Sequence, residues 1–115
     1  MSNTLRPRLR VLHHDVIALG PGKVDLLEAL DRAGTLAEAA KQLGMSYMRA
    51  WSLVQTMNGC FREPLVQTAR GGSGRGSATL SDTGRAVLAL YRRMEGEAAA
   101  AVDPAWRELQ GYLAE

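Results

Sequence analysis

The chain has 115 residues, with 14 Lys and Arg against 12 Asp and Glu, a net charge of +2, and 46% hydrophobic residues. That is the length and usage of one globular domain, and it excludes a disordered tail or two independent cores. The single cysteine, Cys60, excludes a disulfide framework and a Cys-rich zinc site. The apolar runs fall far short of the roughly 20 residues that a membrane-spanning helix needs. No apolar segment backs the polar, basic residues 1–10, so no secretory signal is expected and the chain reads as cytoplasmic.

Residues 8–19 alternate polar and apolar and are rich in β-formers, which predicts a short strand or hairpin, closed by a turn at Gly20-Pro21-Gly22. From Lys23 the period becomes helical: Val24, Leu26, Leu27, Leu30 and Ala33 form one face, and Gly34 stands at the C-terminal cap. Thr35 with Glu38 makes a capping box, so a second helix starts there, with Leu36, Ala39, Ala40 and Leu43 inward and Gly44 as its stop. Ser46 caps a third helix to about Cys60. Its apolar stripe is expected to be Tyr47, Ala50, Trp51, Val54 and Met57, with Met48, Arg49, Ser52, Gln55 and Thr56 outward.

Residues 65–69 and 79–80 read as two antiparallel strands around a glycine-rich loop that carries Arg70 and Arg75. Ser81 caps a last long helix, with Ala86, Val87, Leu90, Tyr91 and Met94 expected inward, and Asp103-Pro104 is expected to end it. A short terminal helix bearing Trp106, Leu109, Tyr112 and Leu113 then follows. The fold class is mainly α with a small β-hairpin (α+β). Residues 1–7 are expected to be a flexible arm, 8–102 the domain, and 103–115 a short helix suited to a dimer contact.

The small net charge hides an asymmetry. Residues 41–93 carry eight basic side chains (Lys41, Arg49, Arg62, Arg70, Arg75, Arg85, Arg92, Arg93) against Glu63 and Asp82, whereas residues 94–115 carry Arg107 against five acids. A basic middle of this kind suits a polyanion, although ordinary surface charge gives similar counts.

Two short helices joined by a Gly-containing turn, with small Ala39 and Ala40 where helices must approach, have the layout of a helix-turn-helix, and the hairpin after it makes it winged. In that layout the second helix enters the major groove, where all four base pairs are distinguishable. The candidate DNA-binding residues are therefore Ser46, Tyr47, Met48, Arg49, Ser52 and Gln55 on the helix and Arg70 and Arg75 on the wing. Arg49 suits a bidentate contact to guanine, against the alternative of a solvated surface arginine. The glycine-rich loop lies between strands rather than before a helix and lacks Gly-Lys-Ser/Thr, so it does not fit a nucleotide-binding loop. His13 and His14, adjacent on an expected strand, should point to opposite faces and cannot both grip one metal without a partner chain. Cys60, at the end of an amphipathic helix, reads as a small buried hydrophobe rather than a nucleophile. No catalytic constellation is found, so no enzyme, cofactor or metal is expected.

Several stretches, Gly20-Pro21-Gly22-Lys23, Ala39 to Trp51, Met57-Asn58, Gly71-Gly72 and Leu80 to Gly84, resemble the N-terminal domain of ModE-type molybdate-responsive transcription regulators. The similarity covers roughly residues 8–95. LysR-type winged domains share the layout, including the Leu-Ser-x-x-Gly start of the helix after the wing. The resemblance implies a homodimer on a palindromic double-stranded DNA operator, with the helix matching residues 46–57 reading DNA and the hairpin matching 65–80 as its wing. It also implies that the oxyanion-binding domains of full-length members lie outside these 115 residues, so no small-molecule site is expected here. Two alternatives from other classes stay open: a sensor of an oxyanion or metal at the dimer interface, using His13, His14 or Cys60, and a protein-interaction adaptor with a winged-helix fold.

Overall fold

A computed structural model of the chain describes residues 2–70 and 76–115. Among them the order is β1 (Val11–His13), β2 (Val16–Leu19), α1 (Pro21–Ala33), α2 (Leu36–Gln42), α3 (Tyr47–Cys60), β3 (Val66–Arg70), β4 (Gly76–Leu80) and α4 (Asp82–Gln110). The architecture is α+β, a winged helix-turn-helix with an N-terminal hairpin and a long C-terminal helix.

The first hairpin pairs Leu12 with Ile17 and His13 with Val16, with a shift in register between Val11 and Leu12. His14 is not on the strand as expected: it stands in the turn with φ 54°, a left-handed conformation that His tolerates better than most residues. The His13 and His14 rings therefore lie side by side, their centres 4.3 Å apart, rather than on opposite faces. A second correction concerns Pro21. It belongs to α1 rather than to a preceding turn, because its missing N–H is one that a first helical turn leaves unpaired anyway.

Helix α1 is the centre of the core, with Val24, Leu26, Leu27, Ala29 and Leu30 fully buried. Gly34 ends it at φ 77°, its N–H bonding the Leu30 carbonyl. The Gly34 carbonyl in turn accepts the Ala78 N–H at 2.9 Å, which ties β4 to the end of α1. Ala39 and Ala40 of α2 are buried, as the close approach of α1, α2 and α3 requires. The strands β3 and β4 pair in regular register from Val66 opposite Leu80 to Arg70 opposite Gly76.

Two expectations about α4 are corrected. The helix does not stop at Pro104 but runs through it to Gln110, so Trp106 and Leu109 lie on the same helix and not on a separate one. A proline inside a helix removes one hydrogen bond and crowds one carbonyl, and here Asp103 bridges to Arg107 at 2.8 Å across the interruption. Inward contact is also narrower than expected. Tyr91 is buried and Val87 is half-buried, but Ala86, Leu90 and Met94 are exposed. At about 1.5 Å per residue the 29-residue helix is about 43 Å long, and only its first half lies on the domain. From residue 96 onward α4 has no buried residue.

Charge fixes α4 on α1. Arg92 contacts Glu28 at 2.8 Å, Glu95 at 2.8 Å and Asp25 at 3.3 Å, while Arg85 reaches Asp31 at 3.8 Å. The Tyr91 hydroxyl donates to the Leu9 carbonyl at 2.7 Å and so holds the segment just before β1 on the same helix. Among the described residues no helix is long and apolar enough to cross a membrane.

Candidate nucleic-acid interface

The segment from α2 to α3 is built from local sequence. The Thr35 hydroxyl accepts the Glu38 N–H at 3.2 Å, which starts α2. Gly44 turns the chain at φ 68°, a left-handed conformation that costs glycine nothing. The Ser46 hydroxyl accepts the Arg49 N–H at 3.1 Å and starts α3. Both caps expected from the sequence are therefore in place, and α2 and α3 are joined by a four-residue connection as a helix-turn-helix requires.

Only Ala50, Val54 and Met57 of α3 are buried. With about 100° per residue, the opposite side of the helix is centred on Met48, Ser52 and Gln55, all exposed. Arg49 stands on one flank of that face, exposed and, among the described residues, in no ion pair. Tyr47 and Trp51 stand on the other flank. These two aromatics were expected in the inward stripe, but Tyr47 is 52% and Trp51 39% exposed. The stripe is narrower than the run of apolar residues because Ala50, Val54 and Met57 already fill the space that α1 and β2 leave.

Tyr47 and Trp51 form one wall of a groove that α2 and the wing complete. Lys41 and Glu38 of α2, Thr68 of β3 and Ser77 of β4 line it as well, and its volume is about 760 Å³. The wing is set against α3 by Asn58, whose side-chain carbonyl accepts the N–H groups of Leu65 at 2.9 Å and Val66 at 3.1 Å while its amide donates to the Val66 carbonyl at 3.1 Å. Asn58, Lys41, Thr68 and Ser77 were not singled out as functional from the sequence. The amide of Asn58 satisfies backbone groups in a distant segment, for which a helical period carries no signal.

Over 86 residues, 75% of its length, the chain is 42% identical to the molybdenum transport protein ModE of Azotobacter vinelandii, of which the match covers 32%. It is 42% identical over 78 residues to the molybdenum-pterin-binding protein MopA of Rhodobacter capsulatus, covering 68% of this chain and 29% of that protein. It is 35% identical over 71 residues to the DNA-binding transcriptional dual regulator ModE of Escherichia coli K12, covering 62% and 27%. The chain is a homologue of the ModE and Mop proteins over their N-terminal region. It spans less than a third of the length of these curated relatives. No family model matches it.

In this ModE homologue the basic middle of the sequence is divided between two tasks. Arg85, Arg92 and Arg93 are spent on ion pairs with Asp31, with Asp25, Glu28 and Glu95, and with Glu97. Lys41 and Arg49 remain on the helix-turn-helix, and among the described residues neither is in an ion pair. Arg70 closes β3, and Arg75 lies outside the described residues. Cys60, half-buried at the end of α3, and the His13–His14 pair at the first hairpin are far apart in the sequence and belong to no group of three or more metal-ligating side chains among the described residues.

Proposed function

We propose that this chain is the DNA-binding part of a ModE-type transcription regulator, acting on double-stranded DNA as a homodimer at a palindromic operator. The observation that carries the reading is the exposed face of α3, where Ser46, Tyr47, Met48, Arg49, Ser52 and Gln55 all stand outside the core beside a β-hairpin. A helix fixed at its N-terminus by a serine cap and presenting polar side chains fits a major groove about 12 Å wide. Ser46, Tyr47, Arg49, Ser52 and Gln55 would contact bases and phosphates, Met48 would offer an apolar contact to thymine methyls, and Arg70 and Arg75 would follow the backbone or the minor groove.

The name of the E. coli relative, a DNA-binding transcriptional regulator, supports the same reading. Dimerisation would cover the exposed apolar side chains of α4, Leu90, Met94, Val102 and Leu109, and would set two reading helices about one DNA turn, roughly 34 Å, apart. No catalytic role is proposed, and molybdate is not assigned a site on these residues.

The test is binding to the DNA upstream of the protein's own gene and its neighbours, titrated by fluorescence anisotropy at 50 and 200 mM salt, with and without molybdate. Binding that prefers one duplex over a scrambled one and weakens steeply with salt supports the reading, because neutralised phosphates release counterions. Absence of binding at both salts, or binding indifferent to sequence, overturns it.

A further inference from the structure

Strand alternation would set His13 and His14 on opposite faces, out of reach of one cation within a single chain. The fold removes that obstacle. His13 pairs with Val16, so the first hairpin reverses through only two residues, His14 and Asp15. A two-residue hairpin turn needs a positive φ, which glycine, asparagine or aspartate supplies most easily. Here His14 carries it, at φ 54°. Its ring comes back beside that of His13, with the centres 4.3 Å apart and the planes inclined by 60°. Both residues are exposed, and apart from them Asp15, a carboxylate, is the one ionisable residue from Val11 to Leu19.

The spacing of the rings corresponds to a coordination angle. An imidazole nitrogen ligates a divalent metal at about 2.0–2.1 Å, which puts the ring centre about 3.2 Å from the ion. Two such rings at a right angle have centres about 4.5 Å apart, and at the tetrahedral angle about 5.2 Å. The observed 4.3 Å meets the first and falls short of the second. No third His, Cys, Asp or Glu joins the pair among the described residues, so the remaining positions fall to water. We propose that the tip of the first hairpin is a site for one divalent cation that favours ligands at right angles, the class of Ni²⁺ and Cu²⁺, held by the imidazoles of His13 and His14. The turn brings the rings together before the ion arrives, so the second nitrogen binds at a high effective concentration. The site shares no residue with the exposed face of α3 and is independent of the DNA-binding reading.

The test is calorimetric titration of the unaltered chain, His13→Gln and His14→Asn with Ni²⁺ and with Zn²⁺, beside amide NMR spectra recorded with substoichiometric Cu²⁺. Asparagine tolerates a left-handed φ, so His14→Asn keeps the turn and is expected to melt no lower than the unaltered protein. One Ni²⁺ per chain is expected, bound about 100-fold more weakly by either variant, because each leaves a single imidazole. The factor is expected to be smaller for Zn²⁺, whose tetrahedral angle the ring spacing does not meet. Paramagnetic Cu²⁺ is expected to broaden the amides of residues 12–17 before any others. Equal Ni²⁺ affinity in the unaltered protein and His14→Asn, or broadening centred away from the hairpin, overturns the site. A loss for Zn²⁺ as large as for Ni²⁺ overturns the right-angle geometry and with it the class of cation. Half an ion per chain overturns a site complete within one chain, since two copies then share the metal.

Discussion

Gly84, in the first turn of α4, lies so close to the Leu65 carbonyl that a β-carbon on it would overlap the oxygen. The same carbonyl accepts the Ser81 N–H at 2.9 Å, and the Ser81 hydroxyl donates to the Pro64 carbonyl at 2.7 Å while capping Gly84. The start of α4 and the entry to the wing are thus one packed joint. Gly84→Ala must move backbone, which cannot yield as a flexible side chain does, and the gain in helix propensity of about 1 kcal/mol does not offset it. We expect a net loss of about 2 kcal/mol and a melting temperature lower by roughly 10 °C in thermal unfolding. Gly96→Ala, in the same helix with nothing within 4 Å of the added carbon, is expected to move the midpoint the other way. Equal shifts in the two variants would contradict the joint.

The Arg92 cluster makes stability depend on pH in a stated direction. The Arg92 guanidinium bonded to Glu28 holds its carboxyl below the ordinary glutamate range, and the guanidinium itself is held above its own. A carboxylate with a lowered folded-state pKa adds stability above its unfolded-state value, near pH 4.3, and that contribution is lost as pH falls through the lowered value. With both side chains more than a third exposed, the pair is worth roughly 0.5–1 kcal/mol. Glu28→Gln is expected to be less stable by that amount at pH 7 and to converge on the unaltered protein as pH falls through the lowered Glu28 value, in denaturant titrations at a series of falling pH values. A constant difference across the range would place the effect elsewhere.

The helix caps and the turn between α2 and α3 were legible because each depends on a few adjacent residues: Thr35 with Glu38, Gly34, Gly44, Ser46 and Ser81 all act within one turn of themselves, whereas the turn at His14 and the start of α1 at Pro21 were misplaced. The face of α3 that meets the core was legible as a period but not as a width. Tyr47 and Trp51 follow the same period as Ala50 and Val54, and only the tertiary fit shows that the last two, with Met57, fill the space. Pro104 misled for a related reason. A proline is a strong stop in an average helix, yet in α4 it falls where the helix has left the domain and where Asp103 and Arg107 bridge it. The joint between Asn58 and the wing was not legible at all, since its partners Leu65 and Val66 are named by the fold and not by the spacing.

That joint gives a prediction of its own. Asn58 satisfies three backbone groups of the wing with one side chain. Asn58→Leu leaves two N–H donors without that partner in a half-buried place, and each costs about 1–3 kcal/mol when unpaired. The expected loss is about 3 kcal/mol, with faster hydrogen exchange of the Leu65 and Val66 amides than of those in α1. Asn58→Asp can still accept from both N–H groups but faces the Val66 carbonyl with an acceptor, so an intermediate loss is expected. If Asp and Leu are equally harmful, the two accepted bonds are not what holds the wing.

Arg49 sits at the third position of α3, its backbone N–H held by Ser46 and its side chain exposed on the flank away from Trp51. The cap fixes where the guanidinium starts, and its planar fork is the shape that meets the O6 and N7 of one guanine. Arg49→Ala is expected to cost about 1–3 kcal/mol of operator binding and to relax the preference at a single base pair, leaving the other positions unchanged. Arg49→Lys keeps the charge but not the fork, so it is expected to restore the salt slope without the preference. Both follow from competition titrations with duplexes altered one base pair at a time. A uniform loss across all sequences in Arg49→Ala would make Arg49 a phosphate contact and shift base reading to the centre of the exposed face, at Met48, Ser52 and Gln55.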